Sequence, residues 1–251
     1  MYEFKDKVAI VTGGASGIGR AVAMMFAQSG AKVVVSDVND KMGAETVEMI
    51  RKAKGEAEYF RTDVSKSGEN EALVDFAVNQ FGRLDLACNN AGIGGEQNQT
   101  GAYSIEGWDK VIAINLSGIF YGMRYEIPAM LKTGGGAIVN MASILGQVAF
   151  SGAPAYVAAK HGIVGLTRSA AVEYAKQGIR VNAVGPGFIQ TPMIASVDGD
   201  PAMHSALVAM HPIGRLGKPE EVAELVVWLS SNKASFVTGS YYAVDGGYLA
   251  Q

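Results

Sequence analysis

Cysteine and histidine are scarce in this 251-residue sequence. Cys88 is the single cysteine, so no disulfide can form within the chain, and we expect a cytoplasmic protein. Three scattered histidines and one cysteine cannot supply the ligands of a typical structural zinc site, so we predict no metal centre.

Long apolar runs and clusters of basic residues are missing as well. Glycine or charge interrupts the apolar runs before they reach the length of a membrane span, and the first ten residues, MYEFKDKVAI, lack the apolar core of a signal peptide. The net charge is −3 and no run of lysine and arginine occurs. We therefore expect neither nucleic acid nor a membrane surface as a partner, and predict a small-molecule ligand.

Apolar residues are abundant, and their pattern indicates the fold class. They make up 49% of the chain, against 18% charged residues, which permits a large buried core. Short β-branched runs alternate with longer helical patterns, and these runs are continuously apolar, as parallel strands covered on both faces require. We predict a single α/β domain over residues 1–251, with a Rossmann-like doubly wound parallel sheet of about seven strands flanked by helices.

The element boundaries follow from the same pattern. The predicted strands are 7–12, 32–37, 57–63, 84–90, 136–143, 179–186 and 240–245, and the predicted helices are 18–29, 41–54, 67–81, 104–132, 155–177 and 219–231. Residues 187–218 interrupt the alternation. A long excursion inside a compact domain is typical of a lid or binding loop, so we predict that this segment binds substrate.

The sequence VTGGASGIGR joins the first predicted strand to the first helix. Its glycines Gly13, Gly17 and Gly19 allow a tight turn and let backbone N–H groups approach a pyrophosphate at the helix N-terminus. Glycines also serve ordinary turns, but a dinucleotide-binding loop must lie at such a strand–helix junction.

Asp37, at the end of the second predicted strand, bears on the choice of dinucleotide. A carboxylate there can accept hydrogen bonds from an adenosine ribose and would repel a 2′-phosphate, so we predict NAD in preference to NADP. A helix-capping role is the alternative for Asp37, although Asn39 or Asp40 could serve that purpose.

The sequence PAYVAAKHG places Tyr156 four residues before Lys160, on one face of a helix. Tyrosine has a pKa of about 10, and a nearby ammonium, joined by a positively charged nicotinamide ring, would favour the phenolate. This would make the phenol useful in general acid–base catalysis. The alternative is a packed tyrosine beside a lysine that extends to solvent. Ser143, 13 residues upstream at a strand end, favours catalysis.

Taken together, these motifs resemble the short-chain dehydrogenase/reductase family over essentially the whole chain. The resemblance is carried by Thr12-Gly-x-x-x-Gly-x-Gly19, Asp63-Val64, Asn89-Asn-Ala-Gly92, Asn115, Ser143, Tyr156-x-x-x-Lys160, Pro186-Gly187 and Asp245-Gly-Gly247. The order and spacing of these motifs make the match specific.

The resemblance implies four catalytic residues. Tyr156 would exchange a proton with the substrate oxygen, and Ser143 would donate a hydrogen bond to that oxygen. Lys160 would hold the nicotinamide ribose, and Asn115 would support a water in a proton relay. A bond to helix backbone is the alternative for Asn115.

The resemblance also implies a cofactor site and an assembly. The residues expected at the dinucleotide are Gly13, Ser16, Gly17, Ile18, Gly19, Asp37, Asp63, Val64, Asn89, Ala91, Gly92, Tyr156, Lys160, Pro186, Gly187, Ile189 and Thr191. Asn89 is expected to be partly structural. The family further implies a homotetramer, with helices 104–132 and 155–177 at its interfaces.

The expected substrate walls are mostly apolar, and methionine packs adaptably. They are Leu145, Gln147, Phe150, Phe188, Met193, Met203, Leu207 and Met210. We expect about half of them to close the core instead. Asp198 and Asp200 argue against an anionic substrate.

We predict an enzyme that transfers a hydride reversibly between NAD(H) and a neutral secondary alcohol or ketone, which could be cyclic. The alternatives are a 3-oxoacyl thioester (acyl-carrier-protein) reductase, a sugar (glucose-type) dehydrogenase, and an NAD-responsive regulator that has lost catalysis. The complete set of serine, tyrosine and lysine argues against the regulator.

Overall fold

One parallel sheet organises the part of the chain that the computed structural model describes, residues 3–194 and 200–251. Its strand order is β3-β2-β1-β4-β5-β6-β7, and every neighbouring pair is parallel. The strands are β1 (Val8–Thr12), β2 (Lys32–Asp37), β3 (Glu56–Arg61), β4 (Leu86–Asn89), β5 (Gly136–Met141), β6 (Ile179–Pro186) and β7 (Tyr241–Val244). The predicted doubly wound sheet is confirmed.

Helices cover both faces of this sheet. They are α1 (Gly17–Gln28), α2 (Asp40–Lys52), α3 (Ser67–Phe81), α4 (Ile105–Ile112), α5 (Gly118–Leu131), α6 (Pro154–Tyr174), α7 (Pro201–Ala209) and α8 (Pro219–Ser230). Helices α1, α2 and α8 share one buried apolar cluster, while α3, α5 and α6 share the other. Within the described ranges, none of these helices has the length and apolar character needed to cross a membrane.

The strands are apolar throughout because their two faces lie in two different cores. In β1, Ala9 and Val11 pack with α1 and α8, whereas Val8 and Ile10 pack on the opposite face. All four side chains are at most 1% exposed. A strand covered on both faces has no solvent side, so its sequence shows no polar alternation.

The prediction of one continuous helix over 104–132 is wrong, because a π-helical turn interrupts it. Helix α4 ends at Ile112, the turn Ala113–Ser117 is π-helical, and α5 begins at Gly118. The predicted helix 155–177 likewise ends as α6 at Tyr174 and continues as a 3-10 turn to Gln177. A π-helical turn within a helix is rare and is found most often at functional sites.

The 187–218 segment contains an element that the sequence analysis did not predict, helix α7. Asp200 caps this helix, because its carboxylate accepts the N–H groups of Ala202 and Met203 at 2.9 and 3.3 Å. The two ends of the segment meet where Ile189 pairs with Gly217 in a short parallel bridge. The two ends of the segment are therefore paired with each other.

The strand order of the sheet produces a crevice at the carboxyl ends of β1 and β4. Strand β1 pairs with both β2 and β4, so the chain order reverses between β1 and β4. The loops after these two strands run in opposite directions and separate at the carboxyl edge of the sheet. Ligands of such sheets bind in this crevice.

Candidate active site

The loop between β1 and α1 has the form of an anion-binding cradle. Gly13 and Gly17 adopt left-handed φ angles of 64° and 51°, and a Cβ on Gly19 would overlap the carbonyl oxygen of Gly13. The Ser16 side chain makes no capping bond, and the first turn of α1 has no acidic residue. Among the described residues, no side chain thus caps the positive end of α1, which fits a dinucleotide pyrophosphate.

Asn90, which the sequence analysis gave only as part of the motif Asn89-Asn-Ala-Gly92, holds this loop in position. Its backbone N–H donates to Thr12 Oγ1 at 3.0 Å, and its side-chain amide donates to the carbonyl oxygens of Thr12 and Gly13 at 3.0 and 3.3 Å. The signal in the sequence was the pair of asparagines, Asn89 and Asn90, at the end of β4. Asn90 therefore joins the loops on the two sides of the crevice.

Asp37 faces the glycine loop and does not cap a helix. Its carboxylate accepts the N–H of Ala15 at 3.1 Å and that of Asn39 at 3.0 Å. The cap of α2 is Asn39, whose side chain accepts the N–H of Met42 at 3.1 Å. Asp37 is only partly buried, so its oxygens at the edge of the crevice could accept ribose hydroxyls.

Asp63 and Val64 follow β3. The Asp63 carboxylate accepts the N–H and hydroxyl of Ser65 at 3.1 and 2.6 Å, and the bond from the Ser65 hydroxyl is the main cause that lowers its pKa. Val64 is 8% exposed and lies against Gly118, where a Cβ would be 2.9 Å from the valine. Gly118 thus allows α5 to approach this loop closely.

The Asn89 side chain has a structural role, in line with the expectation that Asn89 is partly structural, and its place under the dinucleotide stays a prediction. It is 2% exposed, and its amide donates to Glu126 Oε2 at 3.0 Å and to Asn140 Oδ1 at 3.1 Å. Asn140 in turn donates to Thr167 Oγ1 at 3.0 Å. The Asn89 side chain thus belongs to a buried polar network below the crevice.

Ser143, Tyr156 and Lys160 meet where β5 ends and α6 begins. Lys160 is 3% exposed, and its ammonium donates to the Met141 carbonyl at 2.7 Å and lies 5.3 Å from the centre of the Tyr156 ring. The Ser143 side chain lies close enough to the Tyr156 hydroxyl to lower the pKa of the phenol. The helical spacing thus brings tyrosine and lysine together as predicted.

Ser143 Oγ is oriented by its own turn. It accepts the N–H of Leu145 at 3.2 Å. An oxygen that receives this bond presents its own proton elsewhere. The Ser143 hydroxyl is therefore placed to donate toward Tyr156 or an oxygen bound beside it.

Burial shifts the pKa values of Tyr156 and Lys160 in opposite directions. Burial raises the pKa of Tyr156, opposed by the Ser143 hydrogen bond, and burial lowers the pKa of Lys160 to about 7. Lysine therefore loses its proton before the phenol does. Desolvation disfavours both charged forms in the protein without cofactor, and the effect expected from Lys160 together with a positively charged nicotinamide ring stays a prediction.

Asn115 lies in the π-helical turn, and its side chain bonds to the loop that follows β4. Its Oδ1 accepts the N–H of Ile93 and its amide donates to the Ile93 carbonyl, both at 2.8 Å. The alternative of a side-chain bond to its own helix is therefore wrong. Asn115 fixes the loop after β4 to the helix that follows.

The 187–218 segment borders the glycine loop. Pro186 ends β6, and a Cβ on Gly17 would be 3.1 Å from Thr191 Cγ2. Ile189 is 5% exposed. Thr191 therefore closes one side of the crevice against the first turn of α1.

An aromatic cluster packs against the start of this segment. It includes His211, which the sequence analysis did not select. His211 Nε2 accepts the N–H of Phe188 at 3.2 Å, while Nδ1 faces the Leu207 carbonyl at 2.8 Å. The ring of Phe188 lies 6.2 Å from that of Phe150 and 6.3 Å from that of Tyr248. Two of the predicted substrate walls, Phe150 and Phe188, are therefore in contact.

The other residues predicted to line the substrate site differ in their solvent exposure. Leu145 and Leu207 are buried, whereas Met193 and Met203 are 54% and 49% exposed. Gln147 is exposed and Met210 is partly buried. The Asp200 carboxylate caps α7, and the expectation that Asp198 and Asp200 disfavour an anionic substrate stays a prediction. Asp198 lies outside the described residues.

Comparison with known proteins identifies the class of protein that this site defines. A family model described as enoyl-(acyl carrier protein) reductase matches residues 13–249. The cyclohexanol dehydrogenase of Acinetobacter sp. (strain SE19) is 51% identical over 249 residues, covering 99% of this chain and 97% of that protein.

Solved structures agree with the sequence match. The crystal structure of levodione reductase superposes with a TM-score of 0.96 at 38% identity and covers 99% of both chains. An Agrobacterium tumefaciens dehydrogenase with bound NADP gives a TM-score of 0.92 at 34% identity, over 99% of this chain and 98% of that one. The chain belongs to the short-chain dehydrogenase/reductase family, and it is an oxidoreductase of CH–OH groups that uses a nicotinamide cofactor.

The network below the crevice gives a prediction about pH. Burial raises the pKa of Glu126 from 4.5 to about 7, opposed by the Asn89 hydrogen bond. Between these pH values the unfolded carboxyl is ionised and the folded one is protonated, so the free energy of unfolding falls as pH rises. Glu126→Gln cannot ionise, so its free energy of unfolding should not show this fall with pH. Relative to wild type, the variant should gain on the order of 3 kcal/mol between about pH 4.5 and pH 7.

Urea denaturation at several pH values measures this difference. Glu71→Gln is the matched control, because Glu71 is exposed on α3. A Glu126→Gln difference that stays constant with pH would contradict the assigned ionisation.

Proposed function

We propose that the protein catalyses the reversible oxidation of a neutral alicyclic secondary alcohol to its ketone with NAD. The observation that carries the chemistry is the meeting of Ser143, Tyr156 and Lys160 beside the carboxyl end of β5. The 51% identity to a cyclohexanol dehydrogenase supports the alicyclic substrate, and so does the aromatic pair Phe150 and Phe188.

The glycine loop and Asp37 would hold the cofactor. The unneutralised start of α1 suits the pyrophosphate, and the Asp37 carboxylate suits the adenosine ribose. Ile189 and Thr191 would border the nicotinamide. When bound, the cofactor accepts or returns the hydride and, in its oxidised form, adds a positive charge.

In this proposal the protein's own groups handle the proton. Tyr156 takes the hydroxyl proton during oxidation and returns it during reduction. Ser143 donates a hydrogen bond to the substrate oxygen, where negative charge develops. Lys160 binds ribose hydroxyls with its ammonium and is held in place by the Met141 carbonyl. The π-helical turn at Asn115 gives access for a water that passes protons to solvent.

Replacement of Tyr156 tests the mechanism. Tyr156→Phe keeps the ring and removes the exchangeable proton, so kcat with cyclohexanol should fall about 10²- to 10⁴-fold while the Kd for NADH is unchanged. Reduced-cofactor absorbance measures turnover and fluorescence measures binding.

Tyr174→Phe, at the other end of α6, is the control and should retain activity. Turnover by Tyr156→Phe at the wild-type rate would contradict the role of Tyr156. Reaction of acyl thioesters, with no reaction of cyclic alcohols, would instead support the reductase alternative.

Replacement of Asp37 tests the choice of cofactor. The carboxylate would accept ribose hydroxyls and repel a 2′-phosphate, so wild type should bind NADH at least about tenfold more tightly than NADPH, and Asp37→Ser should lose most of this preference. Asp40→Ser, three residues later and exposed, is the control. Tighter binding of NADPH by wild type would exclude the NAD assignment.

We further propose a homotetramer that buries apolar residues of α5 and α6. Phe120 on α5 and Val172 on α6 are 48% and 83% exposed, so an interface formed by these helices would cover them. Light scattering measures the assembly: a tetrameric mass is expected, and Val172→Glu should reduce it. A monomeric wild type would exclude the assembly.

A further inference from the structure

Tyr241 reaches the candidate catalytic serine from the far edge of the sheet. It is the first residue of β7, the edge strand, and its side chain crosses β6. Its hydroxyl donates to the backbone carbonyl of Ser143 at 3.0 Å, although the two residues are 98 positions apart. Ser143 follows β5, so the bond joins two strands that are not neighbours.

The crossing is possible because residue 185 is glycine. A Cβ on Gly185, in the intervening strand β6, would overlap the hydroxyl and ring atoms of Tyr241. The φ angle of Gly185 is not left-handed, so the backbone conformation there does not demand glycine. Glycine is required at position 185 because the Tyr241 side chain occupies the space of a Cβ atom.

The Ser143 carbonyl helps to shape the turn that carries the serine hydroxyl. It accepts the N–H of Gly146 at 2.8 Å as well as the Tyr241 hydroxyl. The same turn provides the Leu145 N–H that orients Ser143 Oγ. The direction of the serine hydroxyl therefore depends on where this carbonyl is held.

Tyr241 is suited to act as a permanent donor. Burial, with the negative charge of Asp245 as a second cause, raises the pKa of its phenol. The hydroxyl thus keeps its proton across the range in which the enzyme would operate. Ser143 receives the bond in both directions of the reaction.

We propose that Tyr241 is a positioning residue for catalysis, which holds Ser143 so that its hydroxyl points at the substrate oxygen. The inference rests on the proposed role of Ser143. Tyr241 itself would contact neither substrate nor cofactor. Loss of the Tyr241 hydroxyl should therefore slow the chemical step, and it should do so only when Ser143 is present.

The experiment compares Tyr241→Phe with Tyr242→Phe. Loss of the hydroxyl alone should lower kcat with cyclohexanol about 3- to 10-fold, the range for one hydrogen bond, and leave the Kd for NADH unchanged. Tyr242 is the matched control, because it is the next residue and its ring packs on Trp228 at 6.2 Å. Tyr242→Phe should leave kcat unchanged.

Gly185→Ala tests the same bond by a second route. The added methyl would displace the phenol while the hydroxyl remains in the protein. This variant should lower kcat to the level of Tyr241→Phe. Combining the two substitutions should cause no further loss, because both break one bond.

Ser143→Ala decides whether the effect passes through Ser143. If Ser143→Ala lowers kcat and Tyr241→Phe adds no loss in that background, the positioning role is supported. Multiplied losses, or a wild-type kcat in Tyr241→Phe and Gly185→Ala, would overturn the role of Tyr241 while leaving the proposed function intact. A wild-type kcat in Ser143→Ala would instead overturn the proposed function at Ser143 and the inference with it.

Discussion

The hydrogen bond from the Lys160 ammonium to the Met141 carbonyl is the interaction on which the site depends. It ties the second turn of α6 to the last residue of β5, with a distance of 2.7 Å and almost no solvent exposure. A buried ammonium is costly, and here the cost appears as a pKa of about 7. Because this bond fixes α6 against the sheet, Tyr156 lies beside Ser143.

The carboxyl edge of the parallel sheet brings together residues that are distant in the chain. Asp37 ends β2, and the glycine loop, Asn90 and Ser143 follow other strands, so all of them lie at the same edge of the sheet. Asn90 and Asp37 then bond to backbone groups of the loop after β1. The topology brings these groups together, and a small number of side-chain bonds to backbone fix their final positions.

Much of the fold could be predicted from sequence because buried parallel strands read as continuous apolar runs. The motif residues could be assigned to strand ends and helix starts for the same reason. Two local features gave weaker signals: the π-helical turn Ala113–Ser117 has an ordinary helical composition, and α7 is short. The Asp200-Pro201 pair at the start of α7 was a usable signal, since both residues favour a helix N-terminus.

Features that depend on burial and tertiary contact could not be predicted. The spacing of Tyr156 and Lys160 predicted their proximity, but the effect of burial, which raises the pKa of Tyr156 and lowers that of Lys160, depends on the tertiary structure. The bond from Tyr241 to Ser143 spans three strands and depends on an absent side chain at Gly185. No periodicity along the chain encodes such a contact.

The central claim is that Tyr156 becomes a base through the charge of the bound oxidised cofactor, because Lys160 alone does not ionise it. The most direct measurement is a pH titration of phenolate absorbance, taken as wild type minus Tyr156→Phe, with and without NAD⁺. The account predicts that the difference signal develops near neutral pH only with NAD⁺, and that without it the phenol titrates above its ordinary value of about 10. Identical titrations in the two conditions would contradict it.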